Sequence, residues 1–224
     1  MATRIPRSAF ATTYDLPDWR IIVVAMEAWF IAPSFSEGAA FLAEVAAAAD
    51  AVDHHPDLDL RYPGRVHVLL TSHDAGGLTE RDASLAAAIS ELAAARGLVS
   101  APLDTQRLEV AIDVLDLDRV RPFWKAVLAY EEGALPSDGG SIDELFDPRG
   151  VGPAIWFQQM DAPRPQRNRI HLDVIVPEDE VDARMAAALA AGGTLLTDEH
   201  GRAFWVLADA EGNEACLCTW QDRD

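Results

Sequence analysis

The sequence predicts an α+β protein with two domains, and three observations support this prediction. The chain has 224 residues, a length that suits two domains of about 100 residues each. Apolar patterns in the first half follow the order strand, strand, helix, strand, strand, helix. The second half contains an internal sequence repeat of two copies. We therefore predict one domain over residues 1–101 and another over residues 102–224.

Turn and capping residues divide the first half. Residues 1–17 lack any hydrophobic period, so we predict no regular element there, whereas 19–32 is apolar and β-rich enough for two strands. Ser34-Phe35-Ser36-Glu37 is a capping box that starts a helix. This helix should end before His54-His55-Pro56, because proline disfavours helical backbone at the residue before it.

A second pair of strands, 58–62 and 65–72, should surround the turn dipeptide Pro63-Gly64. Thr79-Glu80-Arg81-Asp82 is another capping box, and Gly97 is a suitable stop for the helix that follows. Both helices must cover the same face of an antiparallel sheet, because each element has one apolar face to bury.

The second half repeats with a period of 62 residues. Asp147 recurs as Asp209, and Gly150 recurs as Gly212. Each copy shows the pattern of a strand, a helix and then three strands. The repeat therefore predicts a duplicated βαβββ unit.

Charge and composition exclude several classes of protein. The formal net charge of −19 repels phosphate, so we expect neither a nucleic-acid partner nor binding to an anionic membrane. The sequence contains no apolar run near the ~20 residues that span a bilayer, and its start lacks a signal-peptide pattern. Cys216 and Cys218 are too close along one strand to form a normal disulfide. These features predict a cytoplasmic protein.

Three histidines of the first half fall at two turn-like places, Asp53-His54-His55-Pro56-Asp57 and Ser72-His73-Asp74. Histidine suits proton transfer near neutral pH because its unperturbed pKa is about 6.5. From spacing alone, these residues either share a pocket or are polar surface residues at the ends of secondary elements.

Residues 41–89 resemble the core of the pterin-4a-carbinolamine dehydratases. That family's pattern is His-His-Pro-acid after a helix, a strand with Tyr, and then Thr/Ser-His-acid-x-x-Gly-Leu-Thr/Ser-x-x-Asp. The matching residues are 53–57, Tyr62, 66–68, 72–74 and 77–82. The chain departs from the pattern at Leu58, at Asp50, where the family has glutamate, and in residues 1–17, where the family's first helix is not evident.

The resemblance implies an enzyme that removes water from a 4a-hydroxytetrahydropterin and gives a quinonoid dihydropterin, without a metal or redox cofactor. It implies that His54 and His73 share the acid and base roles and that His55 orients the substrate. It also implies a pterin substrate as partner and assembly into a homo-oligomer. The residues that it assigns to substrate binding are Asp50, Asp53, Tyr62, Ser72 and Asp82.

Several residues have simpler interpretations. Asp82 is also the last member of a capping box, and Tyr62 is also a strand aromatic. His67 alternates with apolar neighbours, so it should face solvent or a sheet partner, and His200 fits an ordinary turn.

The repeated half resembles the glyoxalase-like branch of the vicinal oxygen chelate superfamily, through Asn168-Arg169-Ile170-His171-Leu172-Asp173 and Gly212-Asn213-Glu214. The family's metal ligands correspond to Glu109, Ala154, His171 and Cys216. Alanine cannot be a ligand, and cysteine replaces the usual carboxylate, which weakens a site for a hard cation. Gln158 offers a substitute for one ligand. We therefore predict no tightly held metal.

Two alternatives to a dehydratase remain open at this point. In the first alternative, the first half is a non-catalytic pterin-binding or dimerisation module. In the second, the glyoxalase-like half carries the activity. Four tryptophans of the second half either line a ligand cup or belong to the core. They are Trp124, Trp156, Trp205 and Trp220.

Overall fold

The structure is a computed structural model that describes residues 2–133, 144–164, 166 and 170–222. Contacts divide the chain into two compact units, one over Met1–Arg107 and one that begins at Leu108. Each unit has its own hydrophobic core. Among the described residues, no helix has the length and apolar character required to span a membrane.

The first unit combines three helices with one antiparallel sheet. Its helices are α1 (Arg7–Thr13), α2 (Phe35–Val52) and α3 (Glu80–Ala95). Its strands are β1 (Trp19–Ile22), β2 (Ala25–Ile31), β3 (Asp57–Arg61), β4 (Arg65–Leu70) and β5 (Val99–Ser100). The order across the sheet is β1-β2-β4-β3, and β5 also pairs with β2. This arrangement confirms the predicted fold class.

The helices cover one face of this sheet, as β2 illustrates. Met26, Ala28 and Phe30 belong to the core, whereas Glu27 and Trp29 alternate with them and lie on the opposite face. The capped helices α2 and α3 contact each other. Strands β3 and β4, which flank the Pro63-Gly64 turn, therefore bury their apolar faces in the same core as α2 and α3.

The prediction of no regular element in residues 1–17 was wrong, because α1 forms there. Phe10 is buried against the core and Tyr14 packs beside it, with their ring centroids 4.8 Å apart. The Ile5 N–H donates to the Leu78 carbonyl at 2.8 Å. Tertiary contacts thus stabilise a helix of seven residues, which is too short to show a convincing period.

Helix α2 begins and ends where the sequence predicts. The Ser34 hydroxyl accepts from the Glu37 N–H at 3.2 Å, but the Glu37 carboxylate accepts from Arg96 at 3.0 Å instead of completing the box. Asp53 adopts a left-handed conformation with φ of 50° and ends the helix. The chain therefore turns sharply just before His54.

The second unit contains two copies of βαβββ, as predicted. The first copy has β6 (Glu109–Val114), α4 (Leu117–Leu128), β7 (Glu131–Glu132), β8 (Glu144–Phe146) and β9 (Ala154–Gln159). The second copy has β10 (Leu172–Ile175), α5 (Val181–Ala190), β11 (Thr194–Thr197), β12 (Phe204–Ala208) and β13 (Glu214–Cys218). The sheets have matching orders, β6-β9-β8-β7 and β10-β13-β12-β11.

The two copies differ in strand register. Glu109 lies opposite Ala154 in the first copy, whereas Leu172 lies opposite Ala215 in the second. The pairing of β10 with β13 is therefore shifted by two residues relative to the sequence repeat. Because of this shift, Cys216 lies opposite Asp173 rather than His171.

Asp147 and Asp209 have equivalent roles in the turns before the last strands. The Asp147 carboxylate accepts from the Gly152 N–H at 2.8 Å and the Arg149 guanidinium at 2.7 Å. The Asp209 carboxylate accepts from the Asn213 N–H at 2.9 Å and the Trp124 indole N–H at 2.9 Å. Burial opposes ionisation of Asp147, but hydrogen bonds from Arg149, Gly152 and the Val151 N–H outweigh it and lower its pKa to about 2.

We expect Asp147 to make stability fall on acidification. Its folded-state pKa of about 2 lies below its unfolded value, so its ionised form stabilises the fold above roughly pH 4 and this contribution is lost as pH falls toward 2. Urea unfolding of the full chain at several pH values measures this slope. Asp147→Asn should flatten it, whereas Asp118→Asn, at a side chain that is 90% exposed, should leave it unchanged. Equal slopes in all three proteins would contradict the assignment.

Candidate active site

The two histidine motifs lie at the same end of the first unit's sheet. The His54-His55 pair precedes β3, which begins at Asp57, and Ser72-His73 follows β4, which ends at Leu70. The two strands are antiparallel, with Asp57 opposite Leu69. The residue just before one strand and the residue just after the other must therefore be neighbours.

His54 is buried and bonded to a buried carboxylate. Its Nε2 lies 2.8 Å from Oδ1 of Asp82, and Asp82 is fully buried in the first turn of α3. This contact joins two segments that β3 and β4 separate along the chain, since His54 follows α2 and Asp82 lies in the first turn of α3. It fixes both the position and the orientation of the imidazole.

The other oxygen of Asp82 completes a network. Its Oδ2 accepts from the Ser72 hydroxyl at 2.7 Å and from the Thr79 N–H at 2.7 Å, and the Ser72 and Thr79 hydroxyls lie 2.8 Å apart. Since Asp82 already accepts two hydrogen bonds through Oδ2, we assign the proton of the contact with Oδ1 to Nε2 of His54. When the ring is neutral, Nδ1 therefore holds the lone pair.

The two interpretations of Asp82 are compatible. The capping box of α3 is complete, with Asp82 accepting from the Thr79 N–H, and the same carboxylate holds His54. Ser72 and Asp82 are almost completely buried. Both residues are therefore placed to act through His54, and the sequence analysis missed that Thr79 joins them.

His73 lies in an exposed 3₁₀ turn, His73–Ala75, directly beside Ser72. Backbone bonds between Ser72 and Gly77 close this turn at 3.1 and 3.3 Å. The next residue, Asp74, forms an ion pair with Arg81 of α3, and the hydrogen bond from Arg81 lowers the pKa of Asp74. The turn that carries His73 is thus attached at both ends, and this ion pair was not predicted.

Of the remaining predicted residues, His55 and Asp53 are next to His54 in the sequence, whereas Tyr62 lies away from this network. His55 bonds to Asp50 at 3.0 Å, with side chains that are 57% and 77% exposed, and Asp53 is exposed at the end of α2. Tyr62 follows the far end of β3 and is 87% exposed. The structure therefore brings His54, Ser72 and Asp82 together, with His55 and His73 adjacent in sequence, but it does not bring Tyr62 to them.

His67 belongs to a separate cluster on the sheet face opposite the helices. Its ring stacks on Trp29 with centroids 4.5 Å apart, and Nδ1 lies 3.2 Å from Asp59 while Nε2 lies 3.4 Å from the buried Glu27. Burial opposes a charge on His67, but the bonds and charges of Glu27 and Asp59 outweigh it and raise its pKa. This placement agrees with the expectation that His67 faces a sheet partner.

The second unit contains a cavity of about 710 Å³. It is lined by both polar and apolar side chains, including Asp113, Arg119, Ile170 and His171. Of the four tryptophans considered for a ligand cup, Trp124 lines this cavity, while Trp220 is exposed and bonds to Glu178. Asn168 and Arg169, which carry part of the superfamily resemblance, lie outside the described residues.

The residues at the superfamily's four metal-ligand positions do not form one cluster of donor atoms. Within the described part of the chain, one group of at least three potential ligands has its donor atoms close together, namely His171, Asp173 and Cys216. Glu109 is not in this group, and Ala154 has no donor atom. Burial, followed by the charge of Asp173, raises the pKa of the Cys216 thiol to about 12. The side chains present therefore do not fit the hard-cation site of the superfamily.

Two family models match separate parts of the chain. A family model described as pterin 4 alpha carbinolamine dehydratase matches residues 4–92. Another, described as a glyoxalase-like domain, matches residues 109–218.

Individual relatives match one half of the chain each. A "Putative pterin-4-alpha-carbinolamine dehydratase" of Chloroflexus aurantiacus is 49% identical over 76 residues, which make up 34% of this chain and 81% of that protein. A transcriptional coactivator/pterin dehydratase from Brucella melitensis is similar in structure, with 29% identity, a TM-score of 0.38, and coverage of 41% of this chain and 99% of that one. The fosfomycin resistance protein FosX from Mesorhizobium loti covers 50% of this chain and 90% of its own, with 14% identity and a TM-score of 0.40.

The decisive match is the one to the Chloroflexus protein, because it combines high identity with coverage of most of that relative. The matched residues include both histidine motifs and the Asp82 network within the family model. The chain therefore belongs to the pterin-4a-carbinolamine dehydratase family, and a glyoxalase-like domain follows its dehydratase region.

Proposed function

We propose that the first unit is a hydro-lyase that converts a 4a-hydroxytetrahydropterin to the quinonoid dihydropterin by histidine acid/base catalysis. The observation that carries this proposal is the buried bond between His54 and Asp82, with Ser72 linking Asp82 to the turn of His73. A surface histidine has no need of a fully buried carboxylate. A proton-transfer residue does, because its ring must be held in one orientation and tautomer.

The proposed reaction breaks two bonds of the substrate and forms one. The N5 electron pair forms the C4a=N5 double bond as the C4a–O bond breaks, and the hydroxyl leaves as water after it gains a proton. The N5–H proton must then be accepted by a base. The substrate thus loses one molecule of water, and no electrons are exchanged with a cofactor.

His54 and His73 suit the two proton transfers. We assign the base to Nδ1 of His54, because Asp82 holds the proton on Nε2, and the acid to His73, which is exposed at the turn. A positioned acid or base typically contributes roughly 10²–10⁴-fold. Solvent exchange returns the proton from His54 to His73 after each turnover.

His55 is placed to orient the substrate rather than to transfer a proton. It is exposed beside His54 and is held by Asp50 at 3.0 Å. Ser72 and Asp82, which the family resemblance assigned to substrate binding, are proposed here as positioning residues because both are buried. Asp53 is proposed to lie at the exposed edge of the site, and Tyr62, beyond the far end of β3, is not part of the proposed site.

A dehydration assay on the full chain tests this function. The substrate is generated in solution, and its spontaneous loss of water in buffer provides the background rate. We expect the chain to form the quinonoid product well above this background, and His200→Ala, at an exposed histidine of the other unit, to behave as the parent does. A rate equal to the background would favour the non-catalytic pterin-binding module.

The second unit supports a separate candidate function. Its cavity of about 710 Å³ is large enough for a small organic ligand, which favours a binding role for the glyoxalase-like half.

We also propose that the domain boundary lies near residue 102, that the chain forms a homo-oligomer, and that it is cytoplasmic. These three proposals rest on the sequence patterns described above.

A further inference from the structure

We propose that Arg4 is a positioning residue of the dehydration site, where it holds the turn that carries His73. This inference rests on the proposed function of the first unit and extends its site to residues 4–7. The sequence pattern predicts no regular element in that segment, and no motif marks it as functional.

The Arg4 side chain packs against Gly77, the residue that closes this turn. Gly77 and Ser72 are joined by backbone hydrogen bonds of 3.1 and 3.3 Å. A Cβ atom at position 77 would lie 2.8 Å from Nε of Arg4 and 3.3 Å from its Cδ, so the arginine lies directly on the glycine backbone. The Ile5 N–H, next in the sequence, donates to the Leu78 carbonyl at 2.8 Å.

The same segment also holds the hairpin turn between β1 and β2. The Arg7 guanidinium donates to the Val23 carbonyl. Val23 has a φ of 51°, which a β-branched residue adopts only where its surroundings impose it. The next residue, Val24, is buried, and its carbonyl accepts from the Thr71 hydroxyl at 3.2 Å. The hairpin turn therefore contacts the chain directly before Ser72.

Residues 71–78 are thus supported near both ends by the segment 4–7, through the hairpin turn at one end and through Gly77 at the other. They supply Ser72 to the buried network and carry His73. Because His73 is exposed in a short 3₁₀ turn, the position of its imidazole depends on how firmly the backbone of that turn is held. A residue that fixes this backbone acts through His73.

A positioning role predicts a larger effect on rate than on stability. A small displacement of a catalytic group, of about 1 Å, can cost roughly 10²-fold in rate. Arg4 is only half-buried, and the chain beyond the turn is anchored independently by the capping box of α3. Truncation of Arg4 should therefore leave the melting temperature almost unchanged.

Kinetics of the full chain test the proposal. Arg4→Ala should lower kcat for pterin dehydration by about tenfold or more and keep KM within about twofold of the parent, because His73 is misplaced while the pterin still binds. Arg4→Lys keeps a long cationic side chain that covers Gly77 and should recover most of the lost kcat. The matched control is Arg20→Ala, because Arg20 also donates to backbone carbonyls, but at the start of β1. It should react as the parent does.

Two further readouts separate positioning from a purely structural role. Because Arg4 acts through His73, the double variant Arg4→Ala/His73→Ala should be no slower than His73→Ala. Without any pterin, the Gly76 and Gly77 amides, which donate to the His73 and Ser72 carbonyls, should exchange hydrogen about tenfold faster in Arg4→Ala than in the parent. Arg20→Ala should leave this exchange unchanged.

The outcomes distinguish this proposal from the proposed function. An active parent, together with parental kcat and unchanged amide exchange in Arg4→Ala, would overturn the role of Arg4 and leave the dehydratase function intact. A lowered melting temperature with additive losses in the double variant would also overturn it, because Arg4 would then support the fold as a whole. A parent no faster than buffer would overturn the dehydratase function and the role of Arg4 with it.

Discussion

Replacing His73 with alanine is expected to lower the rate of pterin dehydration by roughly 10²-fold or more. The physical reason is the loss of the acid that protonates the leaving hydroxyl, which is equivalent to about 2.7 kcal/mol or more of transition-state stabilisation. His73 is exposed in a 3₁₀ turn that is closed by backbone bonds between Ser72 and Gly77. The substitution should therefore leave the melting temperature of the protein unchanged.

The matched control is His200→Ala, which removes another exposed histidine and should keep the parental rate. A His73→Ala protein with activity within threefold of the parent and an unchanged melting temperature would remove His73 from the mechanism. A lowered melting temperature would show instead that the turn supports the fold.

Asp82→Ala should combine a large loss of stability with a loss of activity. The carboxylate caps α3 through the Thr79 N–H and also holds Ser72 and His54. An N-terminal cap contributes about 1 kcal/mol, and each buried polar partner left without a bond costs about 1–3 kcal/mol. We therefore expect the free energy of unfolding to fall by about 3 kcal/mol or more, as measured by urea denaturation.

Glu80→Ala is the control for this substitution, because Glu80 is an exposed acid in the same first turn of α3. It should cost less than about 1 kcal/mol. A similarly small loss in Asp82→Ala would mean that the buried network contributes little. Normal activity in a stable Asp82→Ala protein would show that His54 needs no positioning by this carboxylate.

Much of the fold follows from local sequence signals. Ser34 and Thr79 are helix caps, and both helices begin there. The 62-residue repeat predicts the two βαβββ copies, because Asp147 and Asp209 build equivalent turns from bonds to residues within five positions. Such signals can be found in one sequence since the interacting groups are neighbours along the chain.

Features that depend on distant contacts were not predictable in this way. Helix α1 depends on the burial of Phe10 rather than on a period of its own. The bond from His54 to Asp82 spans 28 positions, so the capping pattern alone could not reveal it. The register of β10 against β13 is likewise set by packing, and it is this register that places Asp173 beside Cys216.

A single-turnover experiment tests the central claim, that the His54–Asp82–Ser72 network and His73 form a site for pterin dehydration. Full-length protein in excess is mixed rapidly with a freshly generated 4a-hydroxytetrahydropterin, and absorbance follows formation of the quinonoid product. We expect one exponential phase faster than the loss of water in buffer, with a rate that saturates as the protein concentration rises. Saturable binding of the pterin, detected by tryptophan fluorescence, with water loss still at the buffer rate would contradict it.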